Sequence, residues 1–267
     1  MNIFKVNHLA AFTFSLLLGM TCFSFSAKAQ YGGSNSFTNL VIRHNIERSM
    51  LSNRVFNNMR ANDMLRKDGS TINSTAPKAT PKPISVFEAS TQRIVTKEVQ
   101  DQTTKELYEH VLCNYENVAH KDGFIPNDMA YALNYYLIHN YIIYHNLYYQ
   151  PEVNPNDPMA VVWEMARQQQ TQLDVAYERS IHRQFQQFIE GNDHFKNMTN
   201  AQKQEVAESL AVTTGMLWML YADYLKTKDT SAYPEIQKTA YNNLKMLLGE
   251  NADVDKLKVG YTGMSFE

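Results

Sequence analysis

Glycine and proline are scarce in this 267-residue chain, at 10 and 8 residues. Both counts fall below ordinary usage, which excludes collagen-like and low-complexity chains and disfavours a turn-dense all-β fold. Two cysteines are too few for a disulfide framework. A formal net charge of −2 supplies no basic face of the kind that nucleic-acid binders carry. What is abundant is apolar and aromatic: 44% hydrophobic and 12% aromatic residues, enough to bury a core. The balance predicts a helical protein.

Residues 1–29 carry Lys5, an apolar run from Leu9 to Met20, and then Ala27-Lys28-Ala29. A basic start, a short apolar stretch and an A-x-A site form the pattern of a secretory signal peptide. The run is shorter than the ~20 residues of a spanning helix, so no transmembrane segment is expected in the mature chain. Cleavage after Ala29 would leave 267 − 29 = 238 residues and, with Lys5 and Lys28 gone, a charge of 23 − 27 = −4. The expected location is periplasmic or secreted. Cys22 would leave with the signal, and the remaining Cys113 follows Val111-Leu112 on an amphipathic stretch, which predicts a buried thiol behaving as a small hydrophobe.

Residues 30–66 read as an N-terminal helical arm and 67–83, with prolines at 77, 81 and 83, as a flexible or polyproline-like linker. A helical domain is expected over 84–250, beginning with a segment to Ile94 that could be strand or extended loop. Helices are predicted from about Thr96 to Ala119 and from Asp128 to Tyr149. A third starts at Pro158 behind Asp157 and ends at Gly191, with Ile181 and Phe185 on its apolar stripe. Thr199 and Gln202 form a capping box for a fourth, reaching about Lys226 with Val206, Leu210, Leu217, Tyr221 and Tyr224 inward. The fifth spans Pro234 to Leu248, and the tail 251–267 shows no clear structure. Five such helices with short connections predict an all-α antiparallel bundle.

The second helix is the most unusual segment. Residues 131–149 hold seven of the sixteen tyrosines together with Asn134, His139, Asn140, Tyr144, His145 and Asn146. Such a segment serves either as a core helix whose amides and phenols meet polar partners, or as an aromatic cleft for a sugar, peptide or flat ligand. Asn134, His139, Asn140 and Tyr144 are therefore the candidate binding residues. Asn140 in particular, mid-helix on an apolar segment, calls for a tertiary partner.

Catalytic motifs are missing from the linear sequence: there is no G-x-S-x-G, no S-x-x-K and no phosphate loop. Glu116/His120 and Glu178/His182 stand four apart on helices, match no metal motif, and read as solvated surface pairs. No metal, cofactor or catalytic residue is predicted. The run Pro126-Asn127-Asp128-Met129-Ala130-Tyr131-Ala132, followed by Asn140-Tyr141 and the stretch Gln202–Ala207, resembles an uncharacterised family of exported bacterial all-helical proteins over about residues 84–250. The resemblance implies a signal peptide and a helical domain of unknown function, with no catalytic residue to carry over. The expected role is binding or structural interaction in the cell envelope, with an envelope protein or small ligand as partner and no nucleic acid. The rivals are an envelope hydrolase centred on the polar cluster of the second helix and a carrier of an apolar ligand between helices.

Overall fold

The structure, a computed structural model, describes residues 83–97, 99–148 and 175–266. The expected signal peptide, N-terminal arm, nearly all of the linker and the helix start at Pro158 lie outside the described residues.

Among the described residues the chain forms six α-helices and a small hairpin. Helix α1 (Gln102–Asp122) is capped by Asp101, whose side chain accepts from the Thr104 amide. It stops at Gly123, where a φ of +78° suits a residue without Cβ. Helix α2 (Met129–Tyr144) is capped by Asp128. Then follow α3 (Val175–Gly191), the one-turn α4 (Asp193–Lys196), α5 (Asn200–Thr227) and α6 (Tyr233–Leu248). The capping box of Thr199 and Gln202 is present at the start of α5.

Residue contacts fix the directions. Tyr115 of α1 meets Tyr131 and Tyr135 of α2, and His182 of α3 reaches back to Asp128. Tyr233 of α6 donates to the Ile143 carbonyl at the far end of α2, while Asn243 meets Asn140. His139 packs on Trp218, and Asn146 bonds Tyr224. Consecutive long helices therefore run antiparallel, with α2 and α5 parallel neighbours, and α2 is buried on nearly all sides. This is the expected all-α bundle. Where α1 crosses α5 the backbones come close: a Cβ at Gly215 would lie 2.3 Å from Val111 Cγ1.

The segment ambiguous in sequence is an extended strap. Val86 forms a single bridge with Asp128, and the Met129 amide donates to the Ser85 carbonyl at 3.0 Å. The first turns of α5 hold the strap with polar side chains. Lys203 Nζ donates to the Ile84 carbonyl at 2.6 Å, Gln204 Oε1 accepts from the Ser90 amide at 2.8 Å, and Glu208 Oε2 accepts from the Ile94 and Val95 amides at 2.7 and 3.1 Å.

Four expectations need correction. The tail is structured: a 3-10 turn (Val254–Lys256) leads into β1 (Leu257–Gly260), which pairs antiparallel with β2 (Gly263–Phe266). Buried Val254 and Leu257 pin it, and Gly263 takes the φ of +104° that the tight turn demands. Cys113 is exposed rather than buried, because Val111, Leu112 and Tyr115 take the inward positions of α1. Helix α1 starts at Gln102 rather than Thr96, at the Asp101 cap. Helix α2 ends at Tyr144 rather than Tyr149, where the chain turns and Asn146 adopts a left-handed φ of 53°.

The hairpin lies on α3. Ser180 Oγ donates to the Tyr261 carbonyl at 2.6 Å, and the Tyr177 and Tyr261 rings meet edge to face. The Gln184 amide serves Met264 twice, accepting from its N–H at 2.8 Å and donating to its C=O at 3.3 Å.

Candidate functional site

The four candidate residues of α2 go to different places. Asn140 is fully buried: its Nδ2 donates to the Tyr136 carbonyl at 2.7 Å and its Oδ1 accepts from Asn243 Nδ2 at 2.8 Å. Tyr136 completes the contact, its hydroxyl donating to the Asn243 carbonyl at 3.3 Å. The tertiary partner that a mid-helix asparagine requires is thus Asn243 of α6.

His139 is half-buried against aromatic rings, 4.0 Å from the Tyr135 ring centroid and 4.9 Å from that of Trp218. Its Nδ1 donates to the Tyr135 carbonyl at 2.9 Å. Loss of solvent pushes its pKa down to about 4, so it stays neutral at ordinary pH. Tyr144 donates to Asp255 of the 3-10 turn, while its carbonyl accepts from Gln237 at 2.9 Å. Its phenol is pushed up to about 12, by loss of solvent first and then by the hydrogen bond to Asp255. Asn134 is fully buried, and neither amide atom has a hydrogen-bond partner. These four do not converge on one cleft.

A different group of residues does converge, where the end of α1, the start of α2 and the middle of α3 meet. Asp128 is 2% exposed and does two jobs. Its Oδ1 accepts from the Ala130 amide at 2.9 Å as a helix cap, and its Oδ2 accepts from His182 Nε2 at 2.8 Å. The carboxylate therefore holds the imidazole in the tautomer protonated at Nε2, leaving Nδ1 as an acceptor. Phe124 lies edge-on to the His182 ring, 5.2 Å between centroids, and stacks on Tyr131 at 4.8 Å.

One turn before His182 on α3 sits Glu178. Burial first, and then the nearby Asp122 carboxylate, push its pKa up to about 8. Asp122 is itself raised by burial, partly offset by Lys121 and Arg179. The Tyr131 hydroxyl, in the field of both acids, is fully buried and has no hydrogen-bond partner. Glu178 and His182 are therefore half-buried against the bundle, which corrects the reading of that pair as a solvated surface pair. The other pair separates: Glu116 binds Arg93 at 2.6 Å, and His120 is exposed. Among the described residues no three His, Cys, Asp or Glu side chains are grouped as a metal site would need.

Sequence reading missed this corner because its members come from three separate stretches. The available signals were Asp128 preceding an apolar helix, which reads as a cap, and the Glu178/His182 spacing, which reads as a surface pair. Between the strap, α1 and α5 there is also a cleft lined by Arg93, Glu116 and Glu208, with a volume of ≈ 20 Å³, room for about one water.

Residues 158–267 match the Family of unknown function (DUF6683). The matched stretch holds α3 to α6 and the hairpin, and so includes the tail. The match is consistent with the expected uncharacterised family and includes Gln202–Ala207 of the resemblance, while residues 126–141 precede it. No curated protein and no solved structure matches the chain. No helix among the described residues is long and apolar enough to cross a membrane.

Proposed function

We propose that this is an exported cell-envelope protein that acts by binding another protein through its outer surface. One observation carries the reading: the polar residues of α2 that could have lined a ligand cleft close on the protein itself. Asn140 binds Asn243, His139 binds its own helix, and Tyr144 binds Asp255. Large apolar side chains meanwhile stand in solvent, Ile125 at 54% and Tyr261 at 66% exposure. Basic Lys5, the apolar run and Ala27-Lys28-Ala29 support export. A carrier of an apolar ligand needs an apolar cavity on the order of 300 Å³ or more; the cleft beside α5 has ≈ 20 Å³, and the hollow of ≈ 310 Å³ at α4 is open and lined mostly by polar side chains, Asp193, His194, Asn197 and Gln202 with Met198, so neither lends that idea support.

Photo-crosslinking from position 125 or 261 in intact cells tests the proposal, with position 217 as a buried control. A discrete adduct with one envelope protein from the exposed positions alone is the expected result. The proposal fails if the chain stays in the cytoplasm with residues 1–29 intact by mass, or if neither exposed position yields an adduct.

A second reading, an envelope hydrolase, is favoured by the Asp128–His182 contact rather than by His139. An imidazole oriented by a buried carboxylate, beside a carboxyl group that keeps its proton near neutral pH, is an acid–base arrangement. Hydrolysis of envelope polymers by the purified protein, lost in His182→Gln, would replace the binding proposal.

A further inference from the structure

The strap lies in the groove between α1 and α5 as a bound peptide would. It runs in the same sense as α5, with Ile84 at Lys203, Ser90 at Gln204 and Ile94 at Glu208. What α5 recognises there is backbone. Lys203 takes one carbonyl, Gln204 takes the Ser90 amide and the Gln92 carbonyl, and Glu208 takes two successive amides. The start of α2 adds two main-chain bonds, from the Phe87 amide to the Asn127 carbonyl and from the Met129 amide to the Ser85 carbonyl, both at 3.0 Å. Side-chain anchors are fewer: Phe87 and Val95 are buried, and Arg93 pairs with Glu116 of α1. Residues 88–92 between them are exposed.

We propose that this groove also receives the strap of a second copy of the chain, so that two copies exchange residues 84–95 and hold each other as a dimer. The proposal stands apart from the surface contact through Ile125 and Tyr261 and does not need it.

The choice of a second copy follows from what each alternative would wet. Leu112, Tyr115 and Ala207 line the hollow beneath the strap, so an open groove puts this apolar floor in water together with Phe87 and Val95. A foreign peptide in the groove would cover the floor but leave the displaced Phe87 and Val95 exposed. A second copy brings a strap and a groove together. Reciprocal exchange therefore re-forms every anchor, the Arg93–Glu116 pair and each backbone bond to α5 and α2, now between chains. What must change is the joint between the strap and α1, which is folded back by two turn bonds, Lys97 N–H to the Ile94 carbonyl at 3.2 Å and Val99 N–H to the Thr96 carbonyl at 3.3 Å. Straightening that joint lets the strap reach across, and identical elements that trade places in this way form dimers at low cost.

Complementation between two defective full chains tests the exchange. Phe87→Ala spoils the strap and leaves the groove, whereas Gln204→Ala spoils the groove and leaves the strap. Mixed, they can form one sound strap-in-groove pair that neither has alone. Native mass spectrometry should therefore show a heterodimer exceeding the homodimer of either variant by at least about tenfold, since a buried phenylalanine outweighs an alanine by more than that. A photoreactive residue at position 93 of the Gln204→Ala chain should cross-link to residues 109–116 of the other chain. The wild-type chain should show a dimer whose share rises with concentration. Val95→Ala and Glu208→Ala take the place of either variant that does not fold. A mixture with no more dimer than its separate parts, cross-links confined to one chain, or a wild-type chain that stays monomeric at every concentration overturns the proposal.

Discussion

The two flanks of α2 treat buried polarity in opposite ways. Toward α6, Asn140, Tyr136 and Asn243 interlock so that donors and acceptors meet across the helices. Toward α1 and α3, the Tyr131 hydroxyl finds no hydrogen-bond partner, and burial and Asp122 raise the Glu178 carboxyl to about 8. Asn140 and Tyr131 are equally dry, so dryness alone does not decide how a polar group behaves. A satisfied network fixes one geometry and resists change, while an unsatisfied one responds to protons or to a ligand.

The sharpest way to break the comparison is at Asn140. Asn140→Ala strands the Asn243 amide and should cost about 1–3 kcal/mol in denaturant melts. Removing both partners, in Asn140→Ala with Asn243→Ala, should cost less than the sum of the two single changes, because no orphan remains. If the costs simply add, the α6 flank is not the coupled network described. Next comes Gly215→Ala. A glycine in a helix interior ordinarily gains about 1 kcal/mol on becoming alanine, but here Val111 stands 2.3 Å from the new methyl. Val111 is stiff at χ1, so a net loss of about 1–2 kcal/mol is expected from thermal melts.

Smaller effects probe the other flank. Stability should pass through a maximum in mildly acidic solution. The lowered His139 pKa, about 4 when folded, makes acid costly as pH drops below about 6.5. The raised Glu178 pKa makes base costly from about 4.5 up to about 8. Glu178→Gln should flatten the alkaline side and gain up to about 1 kcal/mol there, after allowance for solvent screening. Smallest of all, Tyr131→Phe deletes a hydroxyl that bonds nothing and should be neutral or stabilising by less than about 1 kcal/mol, with Tyr136→Phe losing about that much. Equal and large losses at both tyrosines would erase the distinction.

The bundle was legible from sequence because helical periodicity is a local signal: Ile181, Phe185, Leu210, Leu217 and Tyr221 are all buried as spaced. So was the need of Asn140 for a partner, although which helix would supply it was not. The hairpin escaped because strands of four residues carry too little alternation to stand out, and because Gly260 and Gly263 read as loop punctuation. Cys113 failed for a different reason. It adjoins apolar residues in the chain, but burial on a helix follows angle rather than adjacency. The corner of Asp128, Glu178 and His182 depends on three elements meeting, and no linear spacing encodes that.

The double bond of Gln184 to Met264 has a consequence for how copies of this protein behave in a crowd. A two-stranded ribbon offers two open edges, and each is a template on which another ribbon can grow. A side-chain amide that takes both the N–H and the C=O of one strand residue acts as a stub of a third strand, too short to be extended. It blocks the β2 edge at its middle while adding no surface that a further strand could join. Growth in that direction stops at a single residue of α3, so the ribbon is shielded along that edge from building fibres.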